Sequence, residues 1–131
     1  MSSFAEAAAR APHDLHVALE NWFNARGSED PATVTDHFDA AFRLISPTGK
    51  VVANPGFVGA VPGMRGSRPG LKMEIADVDV RWASDDAAVV VYEETQTQGE
   101  TRTVRLSTVL LVRDPSRAAP QWRHLQETWK A

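Results

Sequence analysis

The chain has 131 residues, 43% of them hydrophobic and 24% charged, which is enough for one domain to bury a core without cross-links. It holds no cysteine, which excludes disulfides, thiolate catalysis and thiolate metal sites. A net charge of −3 with scattered Lys and Arg predicts neither nucleic-acid binding nor attraction to anionic membrane. No run approaches the ~20 apolar residues of a membrane span, and Met1 to Ala11 lacks the apolar stretch of a signal peptide, so the expected compartment is the cytoplasm.

Leu15, Ala18, Leu19, Trp22 and Phe23 recur at helical spacing and predict an amphipathic helix over residues 12–26. Phe4, Ala8 and Ala11 extend the stripe backwards. Pro12 is expected to break or kink it, because an interior proline loses a hydrogen bond and clashes with the preceding turn. Gly27 is the expected stop. Asp30-Pro31 predicts a second helix, with Val34 and Phe38 on its buried face and its end near Asp39. Residues 41–46 and 50–53 predict a hairpin across Pro47-Thr48-Gly49. Residues 54–70 are rich in proline and glycine. Asn54-Pro55 would cap a short helix carrying Phe57, Val58 and Val61, and the remainder reads as a long loop, usually a lid, a binding loop or disordered.

From Lys72 the pattern is strand-like: 72–83, 87–98, 101–113 and 121–130. Turns fall at Asp85-Asp86 and Gly99-Glu100, and a longer link runs from Asp114 to Pro120. A four-stranded meander is the simplest topology. The fold class is therefore α+β, with N-terminal helices packed on a curved antiparallel sheet.

The turns set an expected register. Trp82 pairs with Val89, Val80 with Val91 and Val78 with Glu93. Glu93 in turn pairs with Leu106, and Val91 with Thr108. If residue 113 faces 122, Leu106 meets Trp129, Thr108 meets Glu127 and Leu110 meets Leu125. Alternation then puts Trp82, Glu93, Thr108, Glu127 and Trp129 on one mostly apolar face, expected to pack beneath the helices. Glu93 and Glu127 would lie about 10 Å apart at the backbone. Burial and mutual repulsion would raise their pKa values, the setting of a general acid or base. The alternative is a pair of rim carboxylates, solvated or matched by Arg43, Lys72 or Arg102. The other face, with Tyr92, Glu94, Val109, Leu111, Trp122 and His124, is too apolar for free solvation and predicts a homodimer contact. One slipped residue in a link would exchange the faces of a strand, and the Asp114–Pro120 link is the weakest point.

No self-sufficient catalytic motif is present. His13 and His16 are one helical turn apart without a third ligand at motif spacing, and read as solvated helix histidines rather than a metal site. The glycines of 56–70 form no phosphate loop, and no Gly-x-Ser-x-Gly elbow occurs. No cofactor is implied.

The order of parts resembles the nuclear transport factor 2-like superfamily of cone-shaped α+β domains, which includes SnoaL-like polyketide cyclases and ketosteroid isomerases. The residues carrying the resemblance are Asn24-Ala25-Arg26-Gly27 after the long helix, Phe38-Asp39-Ala40-Ala41-Phe42, Ile45-Ser46-Pro47-Thr48-Gly49, and the closing His124-Leu125-Gln126-Glu127-Thr128-Trp129. The resemblance implies a pocket between helices and sheet and dimerisation through the sheet. It implies no ketosteroid-isomerase chemistry, since the position of that general-base aspartate holds Ser46 and that of the helix-one tyrosine falls near Leu19. Three functions fit these residues. The first is a homodimeric protein binding a small hydrophobic or amphipathic molecule between Trp22, Phe38, Phe57, Trp82 and Trp129, with Glu93, Thr108 and Glu127 as polar contacts. The second is an enzyme with Glu127 or Glu93 as general base in an isomerisation, cyclisation, dehydration or hydrolysis. The third is a protein-association domain without a ligand.

Overall fold

Ser3 opens the first helix: its Oγ accepts the Glu6 N–H at 3.1 Å, satisfying one of the donors a helix start leaves free. A computed structural model, which describes residues 3–131, runs this helix (α1) unbroken over Phe4–Phe23. Pro12 lies inside it and does not break it, contrary to expectation. The stripe of Ala8, Ala11, Leu15 and Trp22 stays buried on both sides of the proline, and that burial holds the helix together.

The second helix (α2) is a single turn, Ala32–Thr35, not a helix reaching Asp39. The chain is already in the sheet by Phe38, because the His37 carbonyl accepts the Trp122 N–H at 2.8 Å. Strands β1 (Phe38–Ile45) and β2 (Val51–Ala53) form the expected hairpin, and α3 spans Asn54–Met64. The rest of the Pro/Gly-rich stretch is tied to the end of α1 and is not a free loop. Gly66 N–H donates to the Trp22 carbonyl at 2.9 Å, and Arg68 N–H to the Phe23 carbonyl at 3.1 Å. Asn24 adds Nδ2 bonds to the Glu20 and Leu71 carbonyls and accepts the Gly70 N–H. The bonds to the Glu20, Trp22 and Phe23 carbonyls serve groups at the end of the helix, where partners within the helix run out. Trp22 Nε1–H donates to the Val61 carbonyl at 2.7 Å and pins α3 to α1.

The last four strands are β3 (Lys72–Ala83), β4 (Ala87–Gln98), β5 (Thr101–Val112) and β6 (Gln121–Trp129). Gly99, at φ 59°, takes the first central position of the two-residue β4–β5 turn, where a left-handed residue is needed. Among the described residues the six strands form one sheet in the order β2-β1-β6-β5-β4-β3. The meander is antiparallel, and β1 adds parallel to β6. The β4–β5 register is the expected one throughout. Elsewhere bulges intervene. β3 shifts against β4 between Ala76 and Asp79 and again between Val80 and Trp82, and β5–β6 shifts between Leu110 and Leu111. Bulges bend and twist a sheet, here into a cone under α1. No helix among the described residues is long and apolar enough to cross a membrane.

The buried face of β4 and β5 is the one expected to be outside. Ala88, Val90, Tyr92 and Glu94, with Ser107, Val109 and Leu111, are nearly sealed, whereas Leu106 and Thr108 are exposed. Both faces of these strands are apolar, so counting aliphatic residues does not separate them. Two buried rings, Tyr92 and Trp122, together with His16 of α1, choose the inner face. Their centroids lie 5.7–6.1 Å apart in edge-to-face contact.

Candidate functional site

Between α1, α3 and the inner sheet face lies a cavity of about 200 Å³. Its apolar walls include Leu19, Phe38, Phe42, Phe57 and Leu125. Phe38 packs against Phe42 at 4.6 Å and against Phe57 at 4.8 Å between ring centroids. Against these walls stand His16, Arg68, Glu94, Gln96, Arg105 and Glu127. A mostly apolar concavity with a few convergent polar groups is the usual form of a small-molecule site.

The polar groups form a chain of hydrogen bonds. His16 Nδ1–H donates to the Pro12 carbonyl at 2.6 Å, one turn back along α1. That fixes the ring so that Nε2 meets Glu94 Oε1 at 3.0 Å. The other Glu94 oxygen accepts Gln96 Nε2–H at 2.6 Å, and Gln96 Oε1 accepts from Arg68 Nη1 at 2.9 Å. His16 and Glu94 are both buried, with side-chain exposures of 5% and 2%. Their ionisation is mutually supporting. Burial alone would lower the His16 pKa, but the Glu94 carboxylate more than offsets it, and the value rises above 6.5. Burial alone would raise Glu94, but His16, Gln96 and Arg105 bring it below 4.5.

Glu127 differs from Glu94. It opposes Ser107 across the β5–β6 ladder, and among the described residues its only side-chain partner is Arg105, at 3.4 and 3.5 Å to its two oxygens. These contacts are long for a charge-assisted bond. Burial raises the Glu127 pKa, Glu94 raises it further, and Arg105 opposes both. Glu127 is thus the carboxylate of the cavity with lone pairs not taken by short hydrogen bonds, and its proton affinity is increased. That combination suits proton transfer to or from a bound molecule.

Of the sequence-selected residues, the cavity brings together Phe38, Phe57 and Glu127. Trp22 is buried behind α3 and serves packing. Glu93 faces outward and pairs with Lys130. Thr108 also lies on the outer face, beside Leu106, Leu110, His124, Gln126 and Thr128. Trp82 is 55% exposed near the β3–β4 turn, because the Val80/Trp82 bulge separates it from inward-facing Val80. Trp129 is 46% exposed and lies under the Arg105 guanidinium, 4.8 Å from the ring centroid, so it borders the cavity without lining it. Glu127 shares its face with Glu94 and not with Glu93, the expected partner. The bulge between Leu110 and Leu111 accounts for this: Trp122 opposes Leu111, two residues from the expected partner and so on the same face, and past the bulge the offset is one residue, so that Glu127 opposes Ser107 rather than Thr108.

His16, expected to be solvated, is the residue the sequence reading missed. The signal was present: His16 is four residues after Pro12 and eight after Ala8, inside the buried stripe, while His13 lies outside it and is exposed. Among the described residues no group of three or more His, Cys, Asp or Glu side chains is arranged to hold a metal ion.

No protein-family model matches the chain, and no curated protein matches it. Solved structures do. A nuclear transport factor 2-like protein of unknown function from Pseudomonas aeruginosa is 32% identical and superposes with a TM-score of 0.86, over 95% of this chain and 99% of that one. A domain of unknown function with a cystatin-like fold from Nostoc punctiforme is 16% identical, with a TM-score of 0.71 over 100% of this chain and 80% of that one. A candidate dehydratase of the nuclear transport factor 2-like family from Streptomyces avermitilis is 14% identical, with a TM-score of 0.75 over 97% and 96%. At such identities the last two speak for the fold alone.

Proposed function

The chain belongs to the nuclear transport factor 2-like family, and from that premise we propose that it binds a small, largely apolar molecule inside the cone, with the ligand's polar end at Glu127 and Arg105. The observation that carries this reading is the cavity itself: aromatic and aliphatic walls around one carboxylate that has no short hydrogen bond. A buried polar group without good partners is costly unless something else occupies the site.

The assembly in this proposal is a homodimer through the outer sheet face. Leu106 is 42% exposed there, beside Val89, Leu110 and Thr108, and an apolar face of this kind favours burial against a second copy.

The test of binding is a panel of small aromatic and aliphatic compounds, screened by calorimetry against the wild type and against Glu127→Gln. Binding that weakens in the variant supports the reading, and a panel in which nothing binds refutes it. A second reading, an enzyme with Glu127 as general acid or base, is favoured by its raised pKa. It requires Glu127→Gln to abolish turnover of whatever compound binds, with affinity largely kept.

A further inference from the structure

The charges around the cavity do not balance. His16 Nδ1–H is committed to the Pro12 carbonyl, so the 3.0 Å contact between Nε2 and Glu94 Oε1 needs a proton between them. Whichever partner owns that proton, the pair sums to zero. Arg105 and Glu127 sum to zero when the acid is ionised and to +1 when it is protonated.

Arg68 remains. Its Nη1 donates to Gln96 Oε1 at 2.9 Å and its Nε to Gln98 Oε1 at 3.3 Å, and its guanidinium lies over the Phe23 ring. Every one of these partners is neutral, and Arg68 has no ion-pair partner among the described residues. Glu20, the nearest acid of α1 towards its C-terminal end, is held by Arg26 and by the Met73 N–H. The cavity wall therefore carries a net charge of at least +1. Arg105 also keeps a buried Nε–H that no group among the described residues accepts. A guanidinium is a planar fork suited to a carboxylate.

Size completes the picture. An engineered cavity of about 150 Å³ accepts a benzene ring, so about 200 Å³ leaves room for a ring and one small polar head.

Resting on the binding function proposed above, we infer that the ligand is a ring-sized apolar monoanion carrying one carboxylate, with Arg68 supplying the charge that selects it and Arg105 the donor that meets it. The test compares benzoate with its neutral isostere benzamide, and both with toluene, by calorimetry on the full chain at pH 7. The expected result is benzoate binding at least tenfold more tightly than benzamide. Arg68→Gln should remove that preference, and Arg68→Lys, which keeps the charge, should retain most of it. Equal or tighter binding of benzamide to the wild type overturns the monoanion while leaving the cavity a binding site. Failure of all three compounds to bind removes the binding function itself. A preference for benzoate that survives in folded Arg68→Gln overturns the role of Arg68. The wild-type comparison decides the charge question even if the glutamine variant is unfolded.

Discussion

His16→Leu and Glu94→Leu, made singly and together, probe the buried pair that closes one end of the cavity. Each single change leaves one ionisable group sealed without its partner, at side-chain exposures of 2–5%. Breaking a buried pair from one side costs about 3–5 kcal/mol. A domain of this class has only about 5–15 kcal/mol of stability in total. The unfolding entropy scaled to 131 residues is about 0.28 kcal/mol/K, so each single variant should lose about 11–18 °C in Tm. The double variant replaces the pair by two aliphatic side chains among Leu15, Tyr92 and Trp122. It should recover to within about 2 kcal/mol of the wild type, since an apolar replacement of a buried pair is often near neutral. Urea unfolding followed by fluorescence of the buried Trp22 and Trp122 measures all four corners of the cycle. Single variants within about 1 kcal/mol of the wild type, or a double variant as unstable as the two singles added, would refute the buried pair.

The pair also sets a pH window. The stability that His16 contributes is complete below 6.5 and is lost as pH rises through its raised folded pKa, while that of Glu94 is complete above 4.5 and is lost as pH falls through its lowered one. The double leucine variant should therefore lose both flanks, with its deficit against the wild type largest between pH 4.5 and 6.5 in urea titrations. Glu127 has the opposite sign to Glu94: its raised pKa gives stability that is complete below 4.5 and is lost as pH rises through the raised folded value, so Glu127→Gln should gain on the wild type as pH rises above 4.5. Leu106→Glu on the outer face should convert a dimer to a monomer in sedimentation, with the far-UV spectrum unchanged, and an unchanged sedimentation coefficient would dismiss that contact. Asp77 sits in the β3 bulge at φ 55°, where glycine costs nothing and a β-branched residue is strained. Asp77→Gly should be neutral or slightly stabilising, whereas Asp77→Val should cost more than about 1 kcal/mol, both read from urea midpoints.

Much of the fold was legible because its signals are local. The four long strands follow from alternation bounded by Asp85-Asp86 and Gly99-Glu100, and their observed limits differ from the expected ones by at most a residue. The extent of α1 was not legible, since Pro12 speaks against the helix locally and only the burial of Ala8 and Ala11 against the sheet outweighs it. β1 beginning at Phe38, and its parallel place beside β6, depend on contacts some 80 residues away in the chain. The site fared worse for one reason: side chains alternate with a period of two, so each bulge or slipped link reverses a face. Leu125 and Glu127 were assigned inward and are inward. Glu93, Trp82 and Thr108 were assigned with them and lie outside: a bulge turns Trp82 out, and Glu93 and Thr108 give way to the face of Glu94, a carboxylate made compatible with burial by His16, which no count of hydrophobic residues reveals.

The central claim is that the cone between α1, α3 and the inner sheet face is the ligand site, with Glu127 and Arg105 at its polar end. Difference electron density from crystals soaked with benzoate tests it most directly. The expected density is a ring between Phe38, Phe57 and Leu19 with its carboxylate within hydrogen-bonding distance of Arg105. An empty cone, or a ring seated instead in the outer groove beside Thr108 and Gln126, would contradict it.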